Sequence, residues 1–396
     1  MENFNYYNPV SVYFGQGEIN NIGKLISKEI KSESNKHILL VSYRNHDFMI
    51  ELLNKAKKLI EDEGVKVSTF YDIVANPMLT TIEKAVDICR NENISAIVPI
   101  GGGSVIDSAK VIAGGVDYQG DIWDMMSSEK ALAPETALPI ICVSTIPATG
   151  SEMNSFAVVT NDETKEKSDV SASCLYPKIS ILDPELTCTL PKYQTGCGIA
   201  DAISHVLEVY LNTGHQMPLQ RRIMHSVVQT LIEHSQPVLI DPMNIASRSE
   251  IQWSACVAWN GWTYAGVNFQ APMHMMAHPM SARHGVTHGA SLSIIMPAFM
   301  KYTSKNNPEI YRDLGINMLG MSEVDANDLD KVIDNFEGLL ISLGTPVRLS
   351  EVGINIGNIP ELVQDCYNVA FNDEGILEGL VPLTKDDVTA IFKLAL

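Results

Sequence analysis

Three observations predict an α/β domain built on a parallel sheet, followed by an all-helical domain. Compact apolar runs alternate with helical periodicity over the first half of the chain, and a glycine run opens one of those helices. From about Lys192 the strands give way to long apolar-periodic helices. The chain has 396 residues, enough for two domains of ordinary size, and 45% hydrophobic against 19% charged residues describes a folded globular protein.

The elements follow in order. Residues 10–23, VSVYFGQGEINNIG, read as a short strand, a glycine turn and a helix start. HILLVSYR (37–44) is a compact apolar run of the buried parallel type. A helix over about 47–63 follows, with Met49, Leu52, Leu53, Ala56, Leu59 and Ile60 at helical spacing. VKVSTFYD (65–72) is the next strand, and the loop ANPMLT (75–80) leads into a helix carrying Ile82, Ala85, Val86 and Ile88. ISAIVPI (94–100) is again a buried strand, and GGGSVIDSAKVIA (101–113) passes from glycines directly into a helix. Glycines let a backbone approach a ligand closely, and the N–H groups of a helix start attract phosphate. The GxGxxG fingerprint is absent from the first strand–helix turn, where SYRNHD (42–47) stands instead. LPIICVSTIPATGSEMNSFAVVT (138–160) gives a strand and a hydroxyl-rich turn with Thr145, Thr149 and Ser151, a second wall for a polar ligand. NDETKEK (161–167) is a charged hairpin tip, and PKISILDPELTCTLP (177–191) a last strand with its exit loop.

In the second half, IADAISHVLEVYL, MHSVVQTLIEHSQPVLI, EIQWSACVAWNGWTY and LDKVIDNFEGLLISLG each fit a helix. The C-terminal LTKDDVTAIFKLAL is a capped helix with Thr384 as N-cap. The expected domains are 1–188 and 189–396.

Composition excludes several classes. No run of eighteen apolar residues is present, and the N-terminus has neither a basic start nor an apolar core, against a spanning helix and a signal peptide. The seven cysteines are scattered and contain no CxxC, which suits reduced thiols in a cytoplasmic protein. A formal charge of −19 argues against nucleic acid or an anionic membrane as partner. A phosphate-bearing cofactor needs only local donors and stays open.

The densest chemistry lies in QAPMHMMAHPMSARHGVTHGASLSIIMP (270–297), where four of the ten histidines fall between His274 and His288. His274 and His278 are four apart, one turn from each other on a helical face, and Pro279 suggests a turn after them. GIADAISHVLEV (198–209) carries Asp201 and His205 at the same spacing. Neutral imidazoles with a carboxylate form a divalent-metal donor set, so Asp201, His205, His274 and His288 are the expected ligands. Such a mixed oxygen and nitrogen set suits Fe(II), Zn(II), Co(II) or Ni(II). Met273, Met275, Met276 and Met280 read as core around the site. Trp253, Trp259, Trp262, Tyr264 and Phe269 are either pocket lining or core.

Together VYFGQG, the ANP loop, IGGGSVIDSAK, STIPATGSE, ILDPELTCTLP, GIADAISH and HMMAHPMSARHGVTHG resemble the iron-containing (group III) alcohol dehydrogenase family, within it the butanol dehydrogenase and NADPH-dependent aldehyde reductase branch. The resemblance runs along nearly the whole chain. It implies a Rossmann-like parallel-sheet domain with an all-α domain, the dehydroquinate synthase-like architecture. It also implies a metal-dependent enzyme that interconverts primary alcohols and aldehydes by hydride transfer with NADP(H) or NAD(H) and one divalent metal, Fe(II) or Zn(II). The family's metal ligands fall on Asp201, His205, His274 and His288. His278 matches a histidine facing the nicotinamide and substrate, and is either the proton relay or a residue that orients a metal ligand. Gly101, Gly102, Gly103 and Ser104 match the pyrophosphate loop, and Asp107 a polar position near it. Asn76, Thr145, Thr149 and Lys167 match positions around the ribose and nicotinamide. A homodimer is usual in the family.

NAD-preferring members tend to carry an aspartate where this chain has Ser42 and Tyr43, followed by Arg44. Loss of that carboxylate, with a guanidinium beside it, favours NADP(H) over NAD(H). The competing readings keep the fold and change the reaction, to a polyol or hydroxy-acid dehydrogenase or a dehydroquinate-synthase-like cyclase. A metal hydrolase is a further alternative, against which no HExxH is present.

Overall fold

The computed structural model describes residues 3–30, 36–43, 47–126, 132–214 and 217–396. Arg44, expected at the nucleotide, lies outside them. The chain forms two compact units, one of Tyr7–Thr189, the other of Leu190–Leu396 with the N-terminal residues up to Tyr6.

The first unit holds β1 (Ser11–Phe14), α1 (Ile22–Glu29), β2 (His37–Val41), α2 (Asp47–Glu61), β3 (Lys66–Phe70), α3 (Leu79–Glu92), β4 (Ala96–Gly101), α4 (Gly103–Gly115), β5 (Ile141–Ser144), β6 (Phe156–Thr160), β7 (Lys167–Ser171) and β8 (Ile179–Leu182). Six strands make one sheet in the order β1-β8-β5-β4-β2-β3, parallel throughout. β2, β4, β5 and β8 are wholly buried, as their unbroken apolar runs require. Alternate side chains serve opposite faces: Leu39, Val41 and Ile97 enter one core, Ile38, Leu40, Ala96 and Val98 the other. β6 and β7 form a separate antiparallel hairpin. The winding direction reverses between β2 and β4, and the glycine run follows β4. In open α/β sheets ligands bind at such a reversal, beyond the carboxyl ends of the strands.

The second unit is helical: α5 (Lys192–Leu211), α6 (Pro218–Ile240), α7 (Ile245–Ala258), α8 (Pro272–His284), α9 (His288–Thr303), α10 (Pro308–Asn317), α11 (Leu329–Ser342), α12 (Ile359–Ala370) and α13 (Lys385–Leu394). Its single core draws on nearly all of them. Thr384 caps α13, its hydroxyl accepting from the Asp387 N–H while Asp387 accepts from the Thr384 N–H.

Two local expectations fail. α8 runs through Pro279 and stops at Gly285, whose φ of 66° provides the left-handed C-cap. Pro279 removes one backbone donor, a loss of roughly 3 kcal/mol in an isolated helix. Burial of Met273, Met276, Ala277 and Met280 around it outweighs that loss. α7 ends at Ala258, so WNGWTY is irregular chain; Gly261 there has φ of 104°.

Candidate metal centre and nucleotide loop

α5 is buried around its whole circumference, which is why its polar residues stand out. Asp201 and His205 project from the same face, one turn apart. α8 brings in His274, and α9 begins at His288. α5 and α9 touch backbone to backbone. A Cβ on Gly289 would lie 2.0 Å from the Cys197 carbonyl oxygen, one turn before Asp201. Ligand atoms of Asp201, His205 and His274 all lie within 4.8 Å of one another. His288 stands alongside, its Nε2 3.8 Å from Asp201 Oδ1 and its ring centroid 5.5 Å from that of His274.

The electrostatics suit a cation. Burial, and then the neighbouring His274, hold the His205 imidazole well below the usual histidine range, so it is neutral and a donor of electron pairs. His205 Nδ1 is buried with no hydrogen-bond partner among the described residues, a costly state that a divalent ion relieves. The His205 and His274 rings stack with centroids 5.0 Å apart. These residues therefore fit a bound divalent metal.

Glu208, which sequence reasoning passed over, lies wholly buried two turns from Asp201. Its Oε2 accepts from His274 Nδ1 at 2.7 Å and from the His274 N–H at 3.1 Å. Its Oε1 accepts from the Met273 N–H at 3.1 Å and Asn212 Nδ2 at 3.2 Å. Burial pushes the carboxyl up, to about 8, and the two backbone donors pull it back. With each oxygen accepting two N–H bonds there is no site for a proton, and the geometry is that of a carboxylate.

His278 is buried on α8, its ring 5.5 Å from that of His288. His284 is exposed in the last turn of α8, where a basic group complements the helix dipole. Trp259 packs on His205 at 5.0 Å and on Tyr264 and Phe269 at 4.9 and 5.7 Å. These three half-buried rings form an apolar wall beside the histidines. Trp253 and Trp262 are surface residues.

In the first unit the glycines are explained by close approach. A Cβ on Gly102 would lie 2.9 Å from Ile146, and one on Gly103 2.6 Å from Thr149. The Thr145 N–H donates to Gly101 at 2.9 Å. So 101–104 and 145–149 are packed together, with Ser104 in the first turn of α4. Lys167 Nζ donates to Asn76 Oδ1 at 3.3 Å, and Asn76 has φ of 56°. Asp107 is committed internally, accepting from Ser151 Oγ at 2.6 Å and the Val158 N–H at 3.1 Å. Beside it the buried Lys110 donates to Ser151, Asn154 and the Phe156 carbonyl at 2.7 to 3.0 Å. Ser42 is also committed, its hydroxyl donating to the Ile100 carbonyl at 2.6 Å.

Family comparison decides the assignment. The model described as "Iron-containing alcohol dehydrogenase" matches residues 9–184, and that described as "Fe-containing alcohol dehydrogenase family, C-terminal" matches 195–396. The chain belongs to the iron-containing alcohol dehydrogenase family. It is an oxidoreductase that works with a nicotinamide cofactor and a metal. A relative from Bacillus subtilis, named as a probable NADH-dependent butanol dehydrogenase 2, is 36% identical with both chains covered in full. The NADPH-dependent aldehyde reductase YqhD of Escherichia coli is 29% identical over 92% of each chain. The solved structure of NADH-dependent butanol dehydrogenase A from Thermotoga maritima matches with a TM-score of 0.94 at 34% identity, covering 100% of this chain and 99% of that one. No helix among the described residues is long and apolar enough to cross a membrane.

Proposed function

We propose that this dehydrogenase interconverts short-chain primary alcohols and aldehydes of the butanol and butanal type, with NADH as its first nucleotide. The observation that carries the reading is the convergence of Asp201, His205 and His274, with His288 alongside, next to an apolar aromatic wall. Asp201, His205, His274 and His288 would hold Fe(II) or Zn(II). The ion, when bound, supplies the Lewis acidity that polarises a carbonyl and steadies an alkoxide. The nicotinamide supplies the hydride.

The chain's own residues do the rest. Trp259, Tyr264 and Phe269 bind the alkyl chain and exclude water from the reacting carbon. His278, one turn from His274, relays a proton at a ring nitrogen: as imidazolium it gives one to the substrate oxygen in reduction, and as imidazole it takes one back in oxidation. Gly102 and Gly103, with the first N–H groups of α4, receive the pyrophosphate, and Ser104 adds a hydroxyl. Thr145, Thr149, Asn76 and Lys167 line the ribose and nicotinamide end. Asp107 acts behind them by holding α4 to the 149–154 turn.

For the nucleotide, three observations favour NADH over the NADPH expected from the Ser42–Arg44 corner. Ser42 is spent on Ile100. An antiparallel bridge sets Asp72 opposite Tyr43, returning a carboxylate to the neighbourhood where a 2′-phosphate would need cations. The butanol dehydrogenases from Bacillus subtilis and Clostridium acetobutylicum, at 33–36% identity, are named as NADH-dependent. A homodimer belongs to the same reading, since β1 is a sheet edge that ends in the exposed Phe14 and follows the exposed Tyr7. Sedimentation equilibrium tests it.

The deciding experiment follows nucleotide oxidation at 340 nm with butanal, NADH beside NADPH, before and after chelation and metal add-back. Oxidation that needs both aldehyde and metal supports the reading. No oxidation with either nucleotide across several aldehydes, in metal-loaded protein, overturns it.

A further inference from the structure

We infer that Glu208 is a positioning residue that holds His274 as an Nε2 metal ligand and pins the start of α8 onto α5. The inference rests on the reading of His274 as a ligand. Two independent features of the structure carry it.

The first is the tautomer. An imidazole has one N–H and one electron pair when neutral. His274 Nδ1 lies 2.7 Å from an oxygen of Glu208 that already accepts the His274 backbone N–H. Nδ1 must therefore carry the proton, which leaves the electron pair on Nε2. A histidine ligand oriented by a carboxylate in this way is more basic and less mobile than one oriented by solvent.

The second is the helix start. The first N–H groups of a helix have no partner within it, and a side chain at the N-cap ordinarily supplies one. The N-cap of α8 is Ala271, which supplies none. Glu208 does so from a neighbouring helix, accepting from Met273 and His274. A carboxylate there also complements the positive end of the helix dipole. Asp201, His205 and Glu208 all stand on α5, so one rigid helix presents two ligands and sets both the position and the ring orientation of a third. Asn212 Nδ2 fixes the rotamer of Glu208 by donating to its Oε1 at 3.2 Å.

Replacing the carboxylate by an amide tests this at constant shape. In Glu208→Gln one oxygen becomes an NH2 group among N–H donors. If that group faces His274, the ring must turn its electron pair to Nδ1 and loses its ligand at Nε2. If it faces the other way, the Met273 N–H is stranded. The measurement is the affinity of the folded apo-protein for Zn(II) and Co(II), by competition with a chromophoric chelator. The visible spectrum of the Co(II) form and the apo melting temperature are recorded alongside.

Glu208→Gln is expected to weaken metal binding about 10- to 100-fold and to alter the Co(II) spectrum. In a His274→Ala background the same change should leave metal affinity within about twofold, because there is no ring left to orient. A lowered melting temperature with wild-type affinity and spectrum would leave Glu208 a helix cap alone and overturn the inference. If His274→Ala itself binds metal normally, it is the ligand assignment that fails. Should Glu208→Gln not fold, 15N-histidine-labelled wild-type protein loaded with Zn(II) gives the answer. A proton on His274 Nδ1 supports the inference, and metal on Nδ1 overturns it.

Discussion

Gly289→Ala is the sharpest perturbation of the metal centre that touches none of its ligands. The added methyl would sit 2.0 Å from the Cys197 carbonyl oxygen, where real Cβ contacts stay beyond 3.0 Å. The two backbones must therefore part by at least about 1 Å. α5 has little room to give, because it is itself packed backbone to backbone against Leu343, whose carbonyl oxygen would lie 2.1 Å from a Cβ at Gly196. The displacement falls on α9 and hence on His288, the residue before Gly289. Metal–ligand distances tolerate about 0.2 Å, so the shift exceeds the tolerance several-fold. Loss of one of four ligands should weaken metal affinity by 10-fold or more, on the order of the effect of lost supporting contacts. Overpacking of this kind costs about 1–3 kcal/mol, which lowers the melting temperature by roughly 2–12 °C for a unit of this size.

Chelator competition and a thermal melt of the apo-protein measure the two effects, with Gly285→Ala as control. Gly285 has open space around it, and its φ of +66° makes alanine strained by roughly 1–2 kcal/mol without pushing on α5. It should lose stability and keep its metal. Wild-type metal affinity in Gly289→Ala, or equal metal loss in both variants, would refute the argument that close backbone approach sets the ligand geometry.

Three further outcomes are expected. Lys110→Met leaves Asp107 buried without its cation and should cost about 3–5 kcal/mol, seen in urea denaturation. Burial pulls Lys110 down to about 8 from 10.5, so between those values the unfolded chain binds more protons. Lys110 thus adds stability as pH rises from 8 to 10.5 and withholds it below 8. The difference between wild type and Lys110→Met, taken by denaturation across that window, should grow with pH. Asp72→Ser removes a charge that repels a 2′-phosphate and should raise kcat/KM for NADPH relative to NADH by about 10-fold, worth roughly 1.4 kcal/mol; an unchanged ratio would remove Asp72 from nucleotide choice. His278→Ala should cut turnover about 100-fold while a stoichiometric metal stays bound, and loss of that metal would make His278 a ligand instead.

What the sequence made legible follows from which relations are local. Asp201 and His205, or His274 and His278, are one helical turn apart, so spacing alone puts each pair on a face. The sheet was equally legible, because strands buried on both sides are apolar without interruption. Glu208 was not, since its partners Met273 and His274 lie 65 and 66 residues away and no spacing records a carboxylate that caps another helix. Asp107 is the converse case. Its place beside the glycine loop suggested contact with the nucleotide, yet both its oxygens are taken by Ser151 and Val158. Pro279 misled because propensity is a local cost and the burial that outweighs it is tertiary.

The metal should also be a structural element of the helical unit. Asp201, His205 and Glu208 are buried on α5, and a buried carboxylate with a neutral imidazole beside it, its Nδ1 without a hydrogen-bond partner among the described residues, costs stability until a cation joins them. An ion that binds only the folded state adds about 2.7 kcal/mol at a free concentration one hundred times its Kd. Three of the four tryptophans, Trp253, Trp259 and Trp262, belong to this unit and Trp123 to the other. Tryptophan fluorescence therefore reports mainly on the helical unit, and Trp259 lies against His205 itself. Stripping the metal should shift the fluorescence-detected urea midpoint downward, and titrating Zn(II) back should raise it in proportion to the logarithm of free metal. Binding of nucleotide, which engages the glycine loop of the other unit, should move that midpoint less than metal does. A midpoint indifferent to metal would mean that the buried donors are satisfied without it, and that the ion is a guest of a preformed cavity instead of part of the fold.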